Sequence, residues 1–214
     1  MDVFLAEPKP DLPDMVFTAN AGFQWENKFI ASNFHYAVRC REAVHSESWF
    51  SARNYEVCHL PEKNHFEGEG DLLMCGLLFG GYPFRSSPDT YQRIAIIQRE
   101  IIPLRLINKW FYHLDTCFCP LDSRAALIYP SAFDVTAVTV LENHIGTLIS
   151  VSEEEARLFA CNAIMVEKNV IMNEGCPKTR DQLESHGFSV FELPLSEFIK
   201  AGGSAKCLLL TLRG

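Results

Sequence analysis

The 214-residue sequence has no uninterrupted apolar run long enough to cross a membrane. The apolar stretch Leu72–Phe79 is broken by Gly76 and lies next to Asp71. The first ten residues lack the basic flank and the long apolar stretch of a signal peptide. We therefore expect a cytoplasmic protein without a membrane partner.

Positive charge is also scarce, because 19 Lys and Arg residues face 27 Asp and Glu residues, which gives a formal net charge of −8. This balance argues against a general nucleic-acid binder and suits a small cationic molecule. The length and the 48% content of hydrophobic residues fit a globular chain with a sizeable core. We predict one domain over residues 1–214 and no nucleic-acid partner.

The eight cysteines include no CxxC pair. Cys117 and Cys119 lie two residues apart, but no matching second pair completes the pattern of a zinc site. Cys75 and Cys117 stand inside apolar, strand-like segments. These features predict buried, reduced thiols and no metal.

A pattern of two extended segments, an amphipathic stretch and a third extended segment recurs four times, which predicts an α/β fold of ββαβ units. The predicted elements, unit by unit, are Met15–Ala19, Lys28–Ser32, Glu42–Asn54 and Tyr55–Leu60; Gly70–Cys75, Leu77–Gly80, Pro88–Glu100 and Ile101–Ile107; Tyr112–Pro120, Ala125–Tyr129, Phe133–Glu142 and Gly146–Val151; and Ala160–Val166, Asn169–Met172, Lys178–His186 and Phe188–Leu193.

Local signals support two of the helices. Ser87 followed by Pro88 predicts a helix start, and Gly187 predicts a helix stop. Two lone strands remain, Asp2–Ala6 and Lys206–Leu212, which predicts a fifth unit that is split across the termini and lacks its middle. The alternative is that both strands flank an open array.

Polar residues recur near the start of each unit, at intervals of roughly 40 to 50 residues. They are Asn20; Glu67, Glu69 and Asp71; His113 and Asp115; Asn162; and Cys207. If the units surround an axis, an acid, an imidazole and a thiol meet in one pocket. A thiol, a base and a carboxylate that orients the base form a nucleophilic constellation.

Cys207 is the sharpest candidate, because the glycine-rich segment Gly202–Cys207 brings a thiol next to Lys206 ahead of a strand. Glycine allows close approach of a ligand, and a neighbouring cation can lower the pKa of a thiol. The three acids between Phe66 and Leu72 need partners, and a guanidinium is the natural one. The alternatives are a buried strand cysteine, a core histidine at position 113 and a solvated acidic loop.

Four segments together resemble the guanidine-modifying, or pentein, superfamily: PDMVFTAN (13–20), HFEGEGD (65–71), FYHLDT (111–116) and GGSAKC (202–207). This superfamily comprises dimethylarginine dimethylaminohydrolases, arginine deiminases and amidinotransferases, and the segments are most similar to the dimethylargininase-like branch. The resemblance runs from about Leu12 to the last residue. It implies a five-bladed α/β propeller of ββαβ modules. The first or last blade would be incomplete, since relatives carry a further N-terminal segment ahead of this one.

The resemblance also implies roles for individual residues. Cys207 matches the nucleophile and His113 the general acid and base. Glu67 matches the acid that contacts both the guanidinium and the histidine, with Glu69 and Asp71 as alternatives.

Three further positions match residues that contact substrate. Asp14 matches a guanidinium-binding aspartate, and Arg85 matches the arginine that grips the substrate carboxylate. Asn20 stands where some members carry a second aspartate, and Asp71 is a further candidate for substrate contact.

The implied activity is hydrolysis of an N-methylated arginine to citrulline and a methylamine, through a covalent thiouronium on Cys207. No metal or organic cofactor is needed, and the partner is a small guanidino molecule. The alternatives are arginine deimination, transfer of the amidino group to an acceptor amine, and a non-catalytic relative that only binds arginine derivatives. The oligomeric state is not predicted.

Overall fold

The computed structural model describes residues 2–94 and 99–213, and within them it contains four three-stranded sheets. In each sheet the middle strand pairs antiparallel with the strand before it and parallel with the strand after it. A helix joins the middle strand to the third strand, because a parallel connection needs a crossover. The predicted α/β class and the ββαβ module are thus confirmed.

The four modules follow each other in chain order. Module I is β1 (Gly22–Trp25), β2 (Lys28–Ala31), α1 (Ala37–Ser51) and β3 (Glu56–Cys58); module II is β4 (Leu72–Cys75), β5 (Leu77–Tyr82), α2 (Pro88–Arg93) and β6 (Ile101–Arg105); module III is β7 (Phe118–Pro120), β8 (Ala125–Ile128), α3 (Val135–His144) and β9 (Thr147–Ser150), with the short helix α4 (Glu153–Ala156) after it; module IV is β10 (Ile164–Val166), β11 (Asn169–Asn173), α5 (Pro177–Ser185) and β12 (Ser189–Leu193), with α6 (Ser196–Lys200) after it.

Sequence signals explain several of these elements. All four residues of β8 are buried, as expected of a continuous apolar run covered on both faces. The Asp134 side chain accepts a hydrogen bond from the backbone N–H of Ala137 at 2.8 Å and caps α3. Both predicted helix signals are confirmed, since α2 begins at Pro88 and α5 ends two residues before Gly187.

The main hydrophobic core joins modules II, III and IV. Phe79 of β5 and Phe118 of β7 pack edge to face in it, with ring centroids 5.8 Å apart. Module I packs around Phe23 and Phe66 and around a stacked pair, Phe29 on Phe50. In the part of the chain that the structure describes, no helix combines the length and the apolar character needed to span a bilayer.

The predicted first strand of module I, Met15–Ala19, is wrong. Two 3₁₀ turns occupy this region, at Pro13–Val16 and Thr18–Ala21, and the strand is β1. The backbone N–H groups of Phe17 and Asn20 bond to carbonyls three residues back, so they are not free to pair with a strand.

Both predicted terminal strands are also wrong. Residues 2–6 are irregular and exposed, and Phe4 rests edge-on against Trp49 with centroids 6.1 Å apart. Lys206–Leu208 is a 3₁₀ turn, and an irregular segment follows it. The backbone N–H groups of this C-terminal segment donate hydrogen bonds to the side chains of Asn162, Glu69 and Gln24. In a sheet they would donate to a neighbouring strand instead.

Other predicted boundaries shift by several residues. Strand Tyr112–Pro120 shrinks to β7 because a 3₁₀ turn occupies Leu114–Thr116, and strand Ala160–Val166 begins only at Ile164. The helix predicted over Pro88–Glu100 ends at Arg93; residues 95–98 lie outside the described part of the chain, and residues 99–100 are not helical.

Candidate active site

A polar pocket lies where the segments that precede the modules meet the C-terminal segment. Ten residues line it: Asp14, Phe17, Asn20, Arg39, Arg85, Tyr112, His113, Ala201, Gly202 and Cys207. The structure therefore brings together five of the seven residues predicted to be catalytic or to contact substrate. The other two, Glu67 and Asp71, are buried behind this lining.

Glu67 and His113 form a buried pair at the centre of the site. The imidazole Nε2 lies 2.8 Å from Glu67 Oε2, and Arg85 Nη1 donates to the same oxygen at 3.2 Å. Burial alone raises the pKa of Glu67, but the hydrogen bond and charge of His113 and the charge of Arg85 outweigh burial and lower it to about 2. Burial lowers the pKa of His113, yet the charges of Asp71 and Glu67 raise it overall. A carboxylate beside an imidazolium is the favoured state.

This pair predicts a loss of stability in acid. The pKa of Glu67 is about 2 in the folded protein, against an ordinary 4.5. The carboxylate therefore stabilises the fold above pH 4.5, and that contribution, roughly 3 kcal/mol, is lost as the pH falls toward 2. Urea unfolding of Glu67→Gln between pH 3 and 7 is expected to show a flatter acid dependence than the wild type. Glu184→Gln, at an exposed position of α5, should keep the wild-type slope; equal slopes for all three proteins would contradict the assignment.

Gly68 holds the Glu67 segment tightly against module I. Its φ of +58° is unfavourable for other residues, and a Cβ there would lie 2.6 Å from the carbonyl oxygens of Ala19 and Gly22. We expect Gly68→Ala to lower the free energy of unfolding by more than about 2 kcal/mol, because backbone strain and steric overlap add. The control is Gly187→Ala, which has a φ of +85° but no atom within 4 Å of the added Cβ. Chemical denaturation checks this prediction, and equal losses in the two variants would refute the tight contact.

Cys207 is a buried thiol that two polar groups contact. Its Sγ lies 3.1 Å from Asn162 Nδ2 and 3.4 Å from Asp115 Oδ2. Burial, followed by the charge of Asp115, raises the pKa of the thiol well above its ordinary range. The expectation that Lys206 lowers this pKa is wrong, because Lys206 Nζ bonds to Glu69 Oε2 at 2.8 Å.

Asn162 fixes the backbone around the thiol. Its Oδ1 accepts hydrogen bonds from the N–H groups of Ser204 and Cys207, both at 3.1 Å. Its Nδ2 donates to the carbonyl of Asp115 and to Sγ of Cys207, so both amide hydrogens and both lone pairs are used. The repeat pattern named Asn162 and Asp115 but gave neither of them a role.

Glu67 and Glu69, two of the acids in the segment 67–71, make different contacts. Glu67 contacts the imidazole, whereas Glu69 accepts from Lys206 Nζ and from the N–H of Thr211, at 2.8 and 3.1 Å. Thr18 Oγ1 donates to the Leu208 carbonyl at 2.6 Å and adds a second anchor to the C-terminal segment.

Asp71 lies behind the pocket. It accepts from Ser86 Oγ at 2.7 Å and from the backbone N–H of Leu114 at 3.1 Å. Burial raises the pKa of its carboxyl to about 7. These contacts tie module II to the His113 turn.

Arg39 is a pocket residue that the sequence analysis missed. It pairs with Glu42 at 2.8 Å, and both side chains are buried. Its Nη1 donates to Asn20 Oδ1 at 2.8 Å, and its Nη2 donates to the Asp14 carbonyl at 3.0 Å. Asn20 is thereby oriented by an arginine, while the Asp14 side chain lines the pocket. The only sequence signal was an acid three residues after an arginine on a helix, which is common on solvated faces.

Two tyrosines that carried no assignment enclose Arg85. Its guanidinium carbon lies 4.7 Å from the ring centroid of Tyr36 and 4.4 Å from that of Tyr112. Tyr112 Oη also donates to the carbonyl of Gly202 at 2.9 Å. Tyr112 thus links the rim of the pocket to the segment that carries the thiol.

Residues 2–94 and 99–213 contain no group of three or more His, Cys, Asp or Glu side chains placed to hold a metal ion. The eight cysteines, all within these ranges, are free thiols. The absence of a cofactor stays a prediction.

Comparison with known proteins gives the following similarities. The family model described as N,N dimethylarginine dimethylhydrolase, eukaryotic, matches residues 1–213. The bifunctional arginine dihydrolase/ornithine cyclodeaminase ArgZ of Synechocystis sp. is 44% identical over 214 residues, which cover 97% of this chain and 30% of that protein. The N(G),N(G)-dimethylarginine dimethylaminohydrolase of Mycobacterium tuberculosis is 35% identical, covering 98% of this chain and 70% of that protein. The crystal structure of the N-terminal domain of ArgZ bound to substrate matches with a TM-score of 0.93 and 43% identity, covering 96% of this chain and 78% of that one.

Proposed function

The chain belongs to the dimethylarginine dimethylaminohydrolase family, and from this premise we propose that it hydrolyses the guanidinium group of a free arginine derivative through a covalent intermediate on Cys207. The observation that carries the proposal is that His113, which pairs with the buried Glu67, lines the same pocket as the thiol of Cys207. N-methylated arginine is the proposed substrate, with citrulline and a methylamine as products.

Substrate binding uses the charges of the pocket. The substrate guanidinium pairs with the carboxylate of Asp14, which lines the pocket and suits its planar donors, while Glu67 adds negative charge from directly behind the lining. Arg85 receives the α-carboxylate at the rim. Arg39, which is neutralised by Glu42, keeps the amide of Asn20 turned into the pocket. Fixing both ends of the substrate places its guanidinium carbon for attack.

The first chemical step forms the covalent intermediate. The cationic substrate favours ionisation of Cys207, and Asp115, 3.4 Å from the sulfur, takes the proton. The thiolate attacks the guanidinium carbon while Asn162 Nδ2 hydrogen-bonds to the sulfur. The imidazolium of His113 then gives its proton to the departing amine, and the C–N bond breaks to leave a thiouronium on Cys207.

The second step releases the product. Neutral His113 takes a proton from a water molecule, which attacks the thiouronium carbon. The C–S bond breaks, the attacking oxygen gives its remaining proton to solvent as the ureido group of citrulline forms, and Asp115 returns the thiol proton to the thiolate. Glu67 stabilises the imidazolium in both steps, because its pKa of about 2 keeps it ionised.

A product assay tests the proposal. Purified protein is incubated with asymmetric dimethylarginine, and mass spectrometry follows citrulline, dimethylamine and the intact mass of the protein. Citrulline release together with an adduct on Cys207 supports the proposal. The absence of both would refute dimethylarginine as the substrate, and inactivity toward arginine as well would favour a non-catalytic binding protein.

Unmodified arginine is the second candidate substrate. It is favoured by the 44% identity to ArgZ, whose name gives it an arginine dihydrolase activity, against 35% to the mycobacterial dimethylarginine enzyme. Parallel assays with arginine, dimethylarginine, and arginine plus glycine distinguish the reactions. Ammonia, dimethylamine or amidinated glycine as the leading product indicates arginine hydrolysis, dimethylarginine hydrolysis or amidino transfer, respectively.

A further inference from the structure

We propose that Tyr36 and Tyr112 are positioning residues that hold Arg85 as the receptor for the substrate's α-carboxylate. This inference rests on the proposed function, because it assigns the arginine-specific end of the same pocket. It predicts that the two rings discriminate between a guanidino substrate with an α-carboxylate and the corresponding amine without one.

Tyr36 and Tyr112, which we call the clamp residues, each place a ring against the guanidinium of Arg85. The two rings lie within 4.7 Å of the guanidinium carbon, and Glu67 accepts one hydrogen bond from Nη1 at 3.2 Å. This is the one hydrogen bond that Arg85 makes within the described residues, so most of its five donors stay available. The side chain is 18% exposed and lines the pocket, so those donors can reach a ligand.

The two rings hold the guanidinium of Arg85 without using any of its hydrogen-bond donors. A second carboxylate beside Arg85 would compete with the substrate for its donors, whereas an aromatic face attracts the cation and leaves the N–H groups in the guanidinium plane free. Two faces also restrict the rotamers of a long side chain before the ligand arrives. The Arg85 side chain therefore loses little further conformational entropy when the ligand binds, and this raises the affinity.

The two tyrosines differ in their second contacts. Tyr36 precedes α1 and is 51% exposed, so its side chain is not part of the core. Tyr112 is half-buried and its hydroxyl holds Gly202. Phenylalanine and leucine substitutions at each position therefore separate the ring from the hydroxyl.

The test measures binding by titration calorimetry in Cys207→Ser protein, where turnover is blocked. The ligands are arginine, asymmetric dimethylarginine and agmatine, the decarboxylated amine of arginine. Tyr36→Leu, compared with the parent protein, and Tyr112→Leu, compared with Tyr112→Phe, are each expected to weaken binding of either amino acid about three- to tenfold and binding of agmatine less than twofold. Tyr36→Phe should bind all three ligands as the parent protein does.

Two controls separate positioning from general damage. Trp110→Leu removes another exposed ring that faces an arginine, Arg157, and should change neither affinity. In an Arg85→Ala background, Tyr36→Leu should have no further effect on arginine affinity, because the rings act through Arg85.

The outcomes are distinguishable. If the parent protein binds neither amino acid, the proposed function fails. If it binds them but the leucine variants weaken agmatine equally, or still act without Arg85, the positioning role is overturned.

Discussion

Replacement of Cys207 by serine is expected to abolish turnover while the fold stays intact. Serine is nearly isosteric with cysteine. The Asn162 side chain can still form hydrogen bonds with the backbone N–H and with the side-chain oxygen of a serine at position 207. An unactivated hydroxyl is a much weaker nucleophile than a thiolate, so we expect a loss of at least about a thousandfold in kcat. Initial rates of citrulline and amine release measure this loss. Intact-protein mass spectrometry should show an adduct on the wild type and none on the variant.

The matched control is Cys40→Ser. Cys40 is an exposed thiol on α1, so its replacement should leave the rate unchanged. A Cys207→Ser protein that keeps more than a tenth of the wild-type rate would show that another group carries the attack. Equal losses in both variants would point to oxidation or misfolding of the preparation.

Replacement of His113 by alanine is expected to reduce kcat by about a hundred- to ten-thousandfold, the usual contribution of a general acid and base. The raised pKa of His113 favours its imidazolium form, which gives a proton to the departing amine, and the variant lacks this donor. An S-alkyl isothiourea analogue of the substrate bypasses that need, because an alkyl thiolate leaves without protonation. With this analogue the variant should form the Cys207 adduct and then stall, since no base activates water.

Mass spectrometry over time separates the two roles of His113. Adduct accumulation with the isothiourea, but not with the amine-releasing substrate, supports both roles. Rapid release of product from the analogue would show that another group activates the water. His186→Ala, at the exposed end of α5, should match the wild type with both substrates.

Local signals were sufficient for much of the fold. The apolar run of β8 and the stop at Gly187 act over a few residues, so the sequence pattern predicts their positions correctly. Met15–Ala19 and Lys206–Leu212 have equally apolar patterns but are not strands. Distant side chains such as Asn162 and Glu69 bind the backbone of the C-terminal segment, and no local pattern records such contacts.

The site was predictable to the extent that it follows the repeat. The repeat pattern predicts that polar residues at equivalent positions of successive modules meet around one pocket. His113 and Cys207 do line one pocket in the structure. The clamp residues Tyr36 and Tyr112 were missed because their role depends on how α1 and the His113 turn face Arg85. The direction of the thiol pKa was wrong for a related reason: Lys206 is adjacent in sequence, but its ammonium group extends toward Glu69.

The segment that carries Cys207 is held by side chains that lie far from it in the sequence. Its three anchors, from Asn162, Glu69 and Thr18, lie 45, 137 and 190 residues away from their partners in the chain. Contacts of such long sequence separation form only after the intervening chain has folded, so the surroundings of the Cys207 thiol are completed late in folding.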